Sequence, residues 1–151
     1  ELCGTWHSRM PIEVDVVSED KYNNWVEEQK GLMVASAAEA SVDKDWTMDE
    51  LMEKGMAEYN TKCASCHQIT GQGLPPAFPA LKGSALATGD IQAHLDIVLN
   101  GKPGTAMVAW NTLNDLELAS IITYERNAWG NGTGDLVQPR DIKAARSLAV
   151  K

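Results

Sequence analysis

Apolar positions along this chain fall into one alternating run near its start and three helical stripes further on. Pro11-Ile12-Glu13-Val14-Asp15-Val16 places β-branched apolar residues at every second position, the period of a half-buried strand. Ser18 then stands as a helix cap, with Glu19 and Asp20 in a first turn where the helix dipole favours anions. Tyr22, Trp25, Val26 and Gln29 share one face, and Gly31 is the expected stop. Residues 31–45 are rich in Ala and Ser, show no stripe, and read as a linker with at most transient helix. A different organisation begins at Trp46. Thr47-Met48-Asp49-Glu50 has capping-box spacing, and Leu51, Gly55 and Tyr59 share one face of the helix it opens. Met48, Met52 and Met56 form a second row expected to pack in the core, and the helix runs directly into Cys63. Residues 68–89 hold Gly71, Gly73, Pro75, Pro76, Pro79 and Gly83, too many breakers for regular structure. Asp90 caps the next helix, whose stripe is Ile91, Leu95 and Val98 and whose end is Asn100-Gly101. After a loop at 101–113, Asn114-Asp115-Leu116-Glu117 repeats the capping-box pattern and opens a helix to Trp129, ended by Gly130. Gly130 to Gly134 reads as flexible, and 141–150 as a short, weak helix within a flexible tail at 131–151. There is no βαβ pattern and no internal repeat. The expectation is an all-α domain over 46–130, with Leu51, Leu95, Leu116 and Ile121 in its core.

Composition narrows the partners. The chain has 151 residues, 44% of them hydrophobic, and a net charge of −8, which argues against nucleic acid. Acids outnumber bases ten to four in residues 1–45 and nine to five in 46–130, whereas 131–151 holds two acids and four bases. The early acidic excess is a solvating surface or a surface that steers a basic partner. No apolar run approaches the ~20 residues of a membrane helix. Glu1 is not an initiator Met and no signal-peptide pattern follows it, so the chain reads as a processed or excised piece whose anchor, if the parent protein has one, lies elsewhere.

The strongest chemical signal is Cys63-Ala64-Ser65-Cys66-His67. Two thiols three residues apart suit the two vinyl groups of one porphyrin edge, and the next residue's imidazole can swing onto the iron. CxxCH is the attachment pattern of c-type haem. A redox CxxC belongs near a βαβ unit, and zinc needs more ligands than His7, His94 and Cys3 offer at their spacing. A stable one-electron carrier fills both axial sites. Met107 lies 40 residues after His67 in a loop between two helices and is the leading candidate for the second axial ligand. Its bland reading is gap-filling packing. His94 is the alternative ligand, or a residue that flanks the Ile91 stripe.

With these residues in place, the stretch from about Trp46 to Trp129 resembles a class I cytochrome c domain: a helix ending in CxxCH, a Gly/Pro-rich loop, and a Met-bearing loop before a last helix. The resemblance implies that Gly55 and Tyr59 meet the last helix where it crosses the first, with Tyr124 and Trp129 as partners. It also implies an apolar shell of Leu74, Phe78, Leu81 and Leu95.

Cys3 remains. Cys3, His7 and Met10 lie together before the predicted strand, and thiolate, imidazole and thioether are ligands that copper prefers. The start, Glu-Leu-Cys-Gly-x-x-His-x-x-Met-Pro followed by an alternating strand and Tyr22-x-x-Trp25, resembles the end of the copper domain of cytochrome c oxidase subunit II. That resemblance implies Cys3 as a bridging thiolate of a binuclear CuA centre, His7 and Met10 as terminal ligands, and the Glu1 carbonyl as a weak one. The family's other bridging Cys and a further His have no counterpart here, so residues 1–30 correspond to the last strand and helix of a cupredoxin-like domain, expected to be poorly ordered alone. Together the two resemblances imply a caa-type oxidase subunit II at the periplasmic face of a bacterial inner membrane. It would take electrons from a cytochrome c or quinol-oxidising donor and pass them to CuA beside subunit I, with no catalytic residues of its own. The rival readings are a free-standing cytochrome c carrier and a haem enzyme or sensor with an open sixth site.

Overall fold

The computed structural model describes residues 14–39 and 44–148. The chain divides into two units, Glu1–Ser36 and Ala37–Lys151.

Helix α1 (Glu19–Glu39), most of which belongs to the first unit, carries Glu19 and Asp20 in its first turn, as its sequence predicts. It does not stop at Gly31. A glycine inside a helix costs only about 1 kcal/mol relative to alanine, and the Leu, Met and Ala residues that follow are strong helix formers. Much of the stretch read as linker is therefore helical as far as Glu39. Residues 14–18 have no regular structure, and Val14 and Val16 are exposed. The predicted strand is absent there, because alternation needs a neighbouring strand to pair with and none exists among the described residues. Pro11 to Glu13, together with Glu1, Cys3, His7 and Met10, lie outside the described residues.

Among its described residues the second unit is helical: α2 (Met48–Lys62), α3 (Ala64–His67), α4 (Ala85–Thr88), α5 (Ile91–Asn100), α6 (Asp115–Asn127), a 3-10 turn (Ala128–Gly130) and α7 (Pro139–Leu148). An isolated bridge joins Leu74 and Phe78 inside the 68–84 loop. Both predicted capping boxes form: the Thr47 and Asn114 side chains accept from the amides of Glu50 and Glu117, whose carboxylates accept in return from the cap amides. Lys44 and Thr47 bond the Glu50 carboxylate and hold its pKa down at about 2. Asp90 caps α5 through the Ala93 amide at 2.8 Å.

Helices α2 and α6 cross at Gly55. A Cβ there would stand 2.1 Å from the Ser120 carbonyl oxygen and 2.6 Å from Tyr124 Cβ, so only hydrogen fits. One turn on, Tyr59, Tyr124 and Trp129 form a three-ring cluster with centroids 4.9–5.5 Å apart. Leu51, Leu95, Leu116 and Ile121 are buried as expected. The methionine row is not core: Met56 is 48% exposed, and Met48 and Met52 are half-buried. Met52 and Met56 each follow a member of the Leu51–Gly55–Tyr59 face by one residue, about 100° around the helix, and so turn off the α6 contact, while Met48 stands in the first turn.

The largest departure is at the C-terminal end. The stretch read as a flexible tail is packed structure. Val137 and Ile142 are buried in one cluster with Leu95, Val98, Leu118 and Ile122. The Gln138 side chain bonds both the amide and the carbonyl of Trp46, at 2.9 and 2.8 Å, closing the domain's two ends on each other. Thr123 Oγ1 accepts from the Val137 amide at 3.0 Å, and Arg146 bonds Asp115 at 2.7 Å and the Asn111 carbonyl at 2.6 Å. Ile142 is 0% exposed. Ile142→Ala should therefore destabilise the haem-loaded protein by about 2–4 kcal/mol, read as a lower urea midpoint, where a loose tail would give almost no change.

Candidate functional site

The cysteine motif sits where α2 ends. Cys63 serves as both the C-cap of α2 and the N-cap of α3, and the chain leaves α3 through Gln68 at φ 63. That left-handed residue turns the chain back under the motif, and the Tyr59 hydroxyl donates to its carbonyl at 2.7 Å. His67 Nδ1 lies 2.9 Å from the Pro79 carbonyl. A carbonyl can only accept, so Nδ1 carries the proton and Nε2 keeps its lone pair for a metal. The returning loop is fixed at two further points. Trp129 Nε1 donates to the Ile69 carbonyl at 3.0 Å, and Gly71 lies so close to that indole that a Cβ would stand 2.5 Å from it.

Cys63, Cys66, His67 and Met107 all line one cavity of about 500 Å³. Its wall is largely apolar, including Phe78, Leu81, Ile97, Val98, Trp110 and Ile121. Two members of the expected shell are elsewhere: Leu74 is 51% exposed, and Leu95 faces the α5–α6–α7 core rather than the cavity. Met107 is placed by its backbone. Its carbonyl accepts from Lys102 N at 3.0 Å and its amide donates to Thr105 Oγ1 at 3.2 Å. Gly101, at φ +72, lies under it, where a Cβ would stand 2.7 Å from the Met107 oxygen. His94 also lines the cavity, but its Nε2 lies 2.9 Å from Glu125 Oε2.

These residues suit a haem better than thiolate chemistry. Burial pushes the Cys63 thiol well above its ordinary pKa, with the Glu125 carboxylate adding to the effect. A redox-active or zinc-binding cysteine needs the opposite, a stabilised thiolate. Among the described residues no cluster of three or more His, Cys, Asp or Glu could hold a metal ion. Two cysteines at this spacing, an imidazole with a free Nε2, a thioether and a large apolar cavity are the parts that a covalently attached porphyrin requires.

Comparison with known proteins points to the same cofactor. A family model described as "Cytochrome C oxidase, cbb3-type, subunit III" matches residues 50–124. The cytochrome c subunit of the quinone alcohol dehydrogenase of Gluconobacter oxydans is 31% identical over 104 residues, 62% of this chain but 22% of the relative. Cytochrome c-552 of Thermus thermophilus is 33% identical over 89 residues, which cover 50% of this chain and 68% of that protein. The chain belongs to the cytochrome c family. A cytochrome c transfers electrons through haem c, and the Cys63–Cys66 spacing is that of the family's haem-binding motif. A different similarity is short: cytochrome c oxidase subunit 2 of the yeast Vanderwaltozyma polyspora is 62% identical over 29 residues, 19% of this chain and 12% of the relative. Among the described residues no helix is long and apolar enough to cross a membrane.

Sequence reasoning missed three parts of this cytochrome's site. The Pro79 carbonyl carries no side-chain signal. Glu125 reads as an ordinary surface acid. Arg126, 3% exposed, holds the α4–α5 corner beside the cavity: it bonds the Ala87 and Gly89 carbonyls at 3.2 and 2.7 Å and Asp135 at 2.8 and 2.5 Å. That hydrogen bonding holds the Asp135 carboxyl below its ordinary pKa. Arg126→Met should cost about 2–4 kcal/mol at neutral pH, because two carbonyls and a carboxylate lose their donor. Asp135 is depressed on folding, so the pair's share is present above the ordinary carboxyl pKa and is lost as pH falls below it. The stability gap between wild type and variant should therefore narrow in acid, measured by urea unfolding at neutral pH and at about pH 3.

Proposed function

We propose that this cytochrome c domain relays electrons to the CuA centre of a bacterial cytochrome c oxidase as part of its subunit II, with Cys63 and Cys66 attaching the haem and His67 and Met107 as axial ligands. The observation that carries the haem assignment is the single cavity joining all four side chains. When bound, haem c supplies one-electron chemistry at its iron. The protein's part is to hold that iron in one geometry. The Pro79 carbonyl fixes the plane and tautomer of His67. Met107, carried on the 101–107 turn, would offer the iron a thioether, a ligand that raises the potential relative to a nitrogen ligand. The largely apolar wall would shield the haem from water and favour the less charged ferrous state.

The oxidase assignment rests on the Cys3-His7-Met10 order and on the 29-residue similarity to an oxidase subunit 2, a segment about as long as the 1–30 stretch that resembles the copper domain. In that setting Cys3, His7, Met10 and the Glu1 carbonyl contribute to CuA within a longer polypeptide that adds the second bridging thiolate. Oxygen reduction belongs to subunit I, the donor is a cytochrome c or a quinol-oxidising complex, and the site faces the periplasm. The linker-and-helix segment keeps the two redox centres on one chain at high effective concentration.

Two measurements test these assignments. Met107→Ala should keep the haem but admit carbon monoxide and lower the potential, whereas His94→Ala should leave the sixth site closed; the reverse pattern makes His94 the ligand. For copper, the decisive measurement is electron paramagnetic resonance of a copper-loaded chain extended upstream through the rest of the copper domain. A mixed-valence binuclear signal is expected, abolished by Cys3→Ser. A folded, copper-containing protein without it would leave a free-standing cytochrome c carrier as the function.

A further inference from the structure

Among the residues that line this largely apolar cavity, His94 and Glu125 are a deeply buried ionisable pair. They are 1% and 4% exposed, come from different helices, α5 and α6, and both line the haem cavity. His94 Nε2 and Glu125 Oε2 are 2.9 Å apart, and His94 Nδ1 is buried without a hydrogen-bond partner. A buried ionisable pair is often no more stable than apolar residues of the same volume, so the stability of the fold does not explain it. Such groups concentrate where a charge change is put to use.

We propose that the His94–Glu125 pair is a proton-uptake site coupled to reduction of the haem. The inference rests on the haem assignment alone and is independent of copper. With one proton, on Nε2 and donated to the carboxylate, the pair carries one negative charge and Nδ1 is an unprotonated acceptor. A second proton, on Nδ1, makes the pair neutral overall. The anionic form is favoured beside the more positive ferric centre. Reduction removes one positive charge from the cavity, and the proton affinity of the pair rises. One electron enters from a reductant, one proton enters from solvent, and the bond formed is Nδ1–H. By linkage, protonation favours the ferrous state to the same extent.

Other charges border the pair. From α2, Tyr59 and Cys63 both feel the Glu125 carboxylate, which adds to the burial that raises their pKa values. The Cys63 thiol no longer titrates once it is a thioether. Lys62 lines the cavity but is engaged by Glu58 and by Glu117, the latter at 3.6 Å. Lys102 lines it from the Met107 loop, and His67 from α3. On α6, Arg126 is committed to Asp135 and two carbonyls, and Tyr124 sits in the aromatic cluster. From α7, Arg146 is bound to Asp115. The haem's own propionates also titrate, and the experiment must separate them from the pair.

The test is the midpoint potential of the haem-loaded protein, by spectroelectrochemistry from about pH 5 to pH 9. Wild type should show a window in which the potential falls as pH rises. The limiting slope is tenfold in the redox equilibrium per pH unit, about 59 mV for a one-electron couple. The double variant His94→Leu/Glu125→Leu should be flat across that window. Glu125→Gln, which keeps a hydrogen-bonding partner but removes the carboxylate, should lie above wild type at the alkaline end. A flat wild-type profile overturns the proposal, and so does a slope that survives in the double variant, which would belong to the propionates. Haem content, read from each absorption spectrum, separates a failed variant from a negative result. Wild type also carries a test of its own. In reduced-minus-oxidised infrared spectra, bands shifted by ¹⁵N-histidine should change with pH inside the window; if those bands are the same at every pH, the proposal fails.

Discussion

The close crossing of α2 and α6 at Gly55 is the contact on which the rest of the domain depends. Two backbones meet where no Cβ fits, and that approach sets everything one turn further along. It brings Tyr59 against Tyr124 and Trp129, and it brings the Cys63 end of α2 beside Glu125 on α6. Trp129 then reaches Ile69, and Tyr59 reaches the Gln68 carbonyl. The loop that carries the Pro79 carbonyl to His67 is thus tied, through these bonds, to a helix crossing more than a turn away. A larger residue at Gly55 would act on the haem site without touching it, by separating the two helices that place its walls.

Helix α6 is the member that this arrangement loads most heavily. Nine of its thirteen residues are buried, polar ones included, and three of the buried polar side chains each answer to a different neighbour. Thr123 holds Val137, Arg126 holds the α4–α5 corner, and Glu125 holds His94. A buried polar group without a partner costs more than the hydrogen bond itself contributes. These residues therefore specify which segments dock on which face of α6. That is why the C-terminal segment is ordered: Thr123 supplies a fixed hydroxyl for the Val137 backbone, and Trp46 supplies both backbone groups for Gln138.

The same facts explain what could be read in the amino-acid sequence. Both capping boxes, the Asp90 cap, the cysteine motif and the Met107 loop are local patterns, complete within a few residues, and each has a structural counterpart. Glu125, Arg126 and Gln138 are polar letters whose burial is decided by segments tens of residues away, so periodicity assigns them to the surface. Leu74 fails in the opposite sense: an apolar letter in a Gly/Pro loop whose bridge to Phe78 turns its side chain outward. The α7 segment has a moderate stripe, Ile142 and Ala145, preceded by glycines that suggest looseness. Its order comes from Val137 and Gln138, which lie before the helix.

Glu125 and Arg126 are adjacent on α6, opposite in charge and both buried, yet they do not pair with each other. Successive helical positions point about 100° apart, so one side chain turns to the cavity and the other to the α4–α5 corner. Arg126 is neutralised by a carboxylate from the C-terminal segment and by backbone oxygens. Its charge is therefore locked, because Arg does not lose its proton in a protein. Glu125 instead has a histidine, a partner whose ring carries a second nitrogen that can take up a proton. Had the carboxylate been placed opposite a guanidinium, the pair would have been fixed in one state. The choice of imidazole is what leaves the cavity wall able to change its charge when the charge inside it changes.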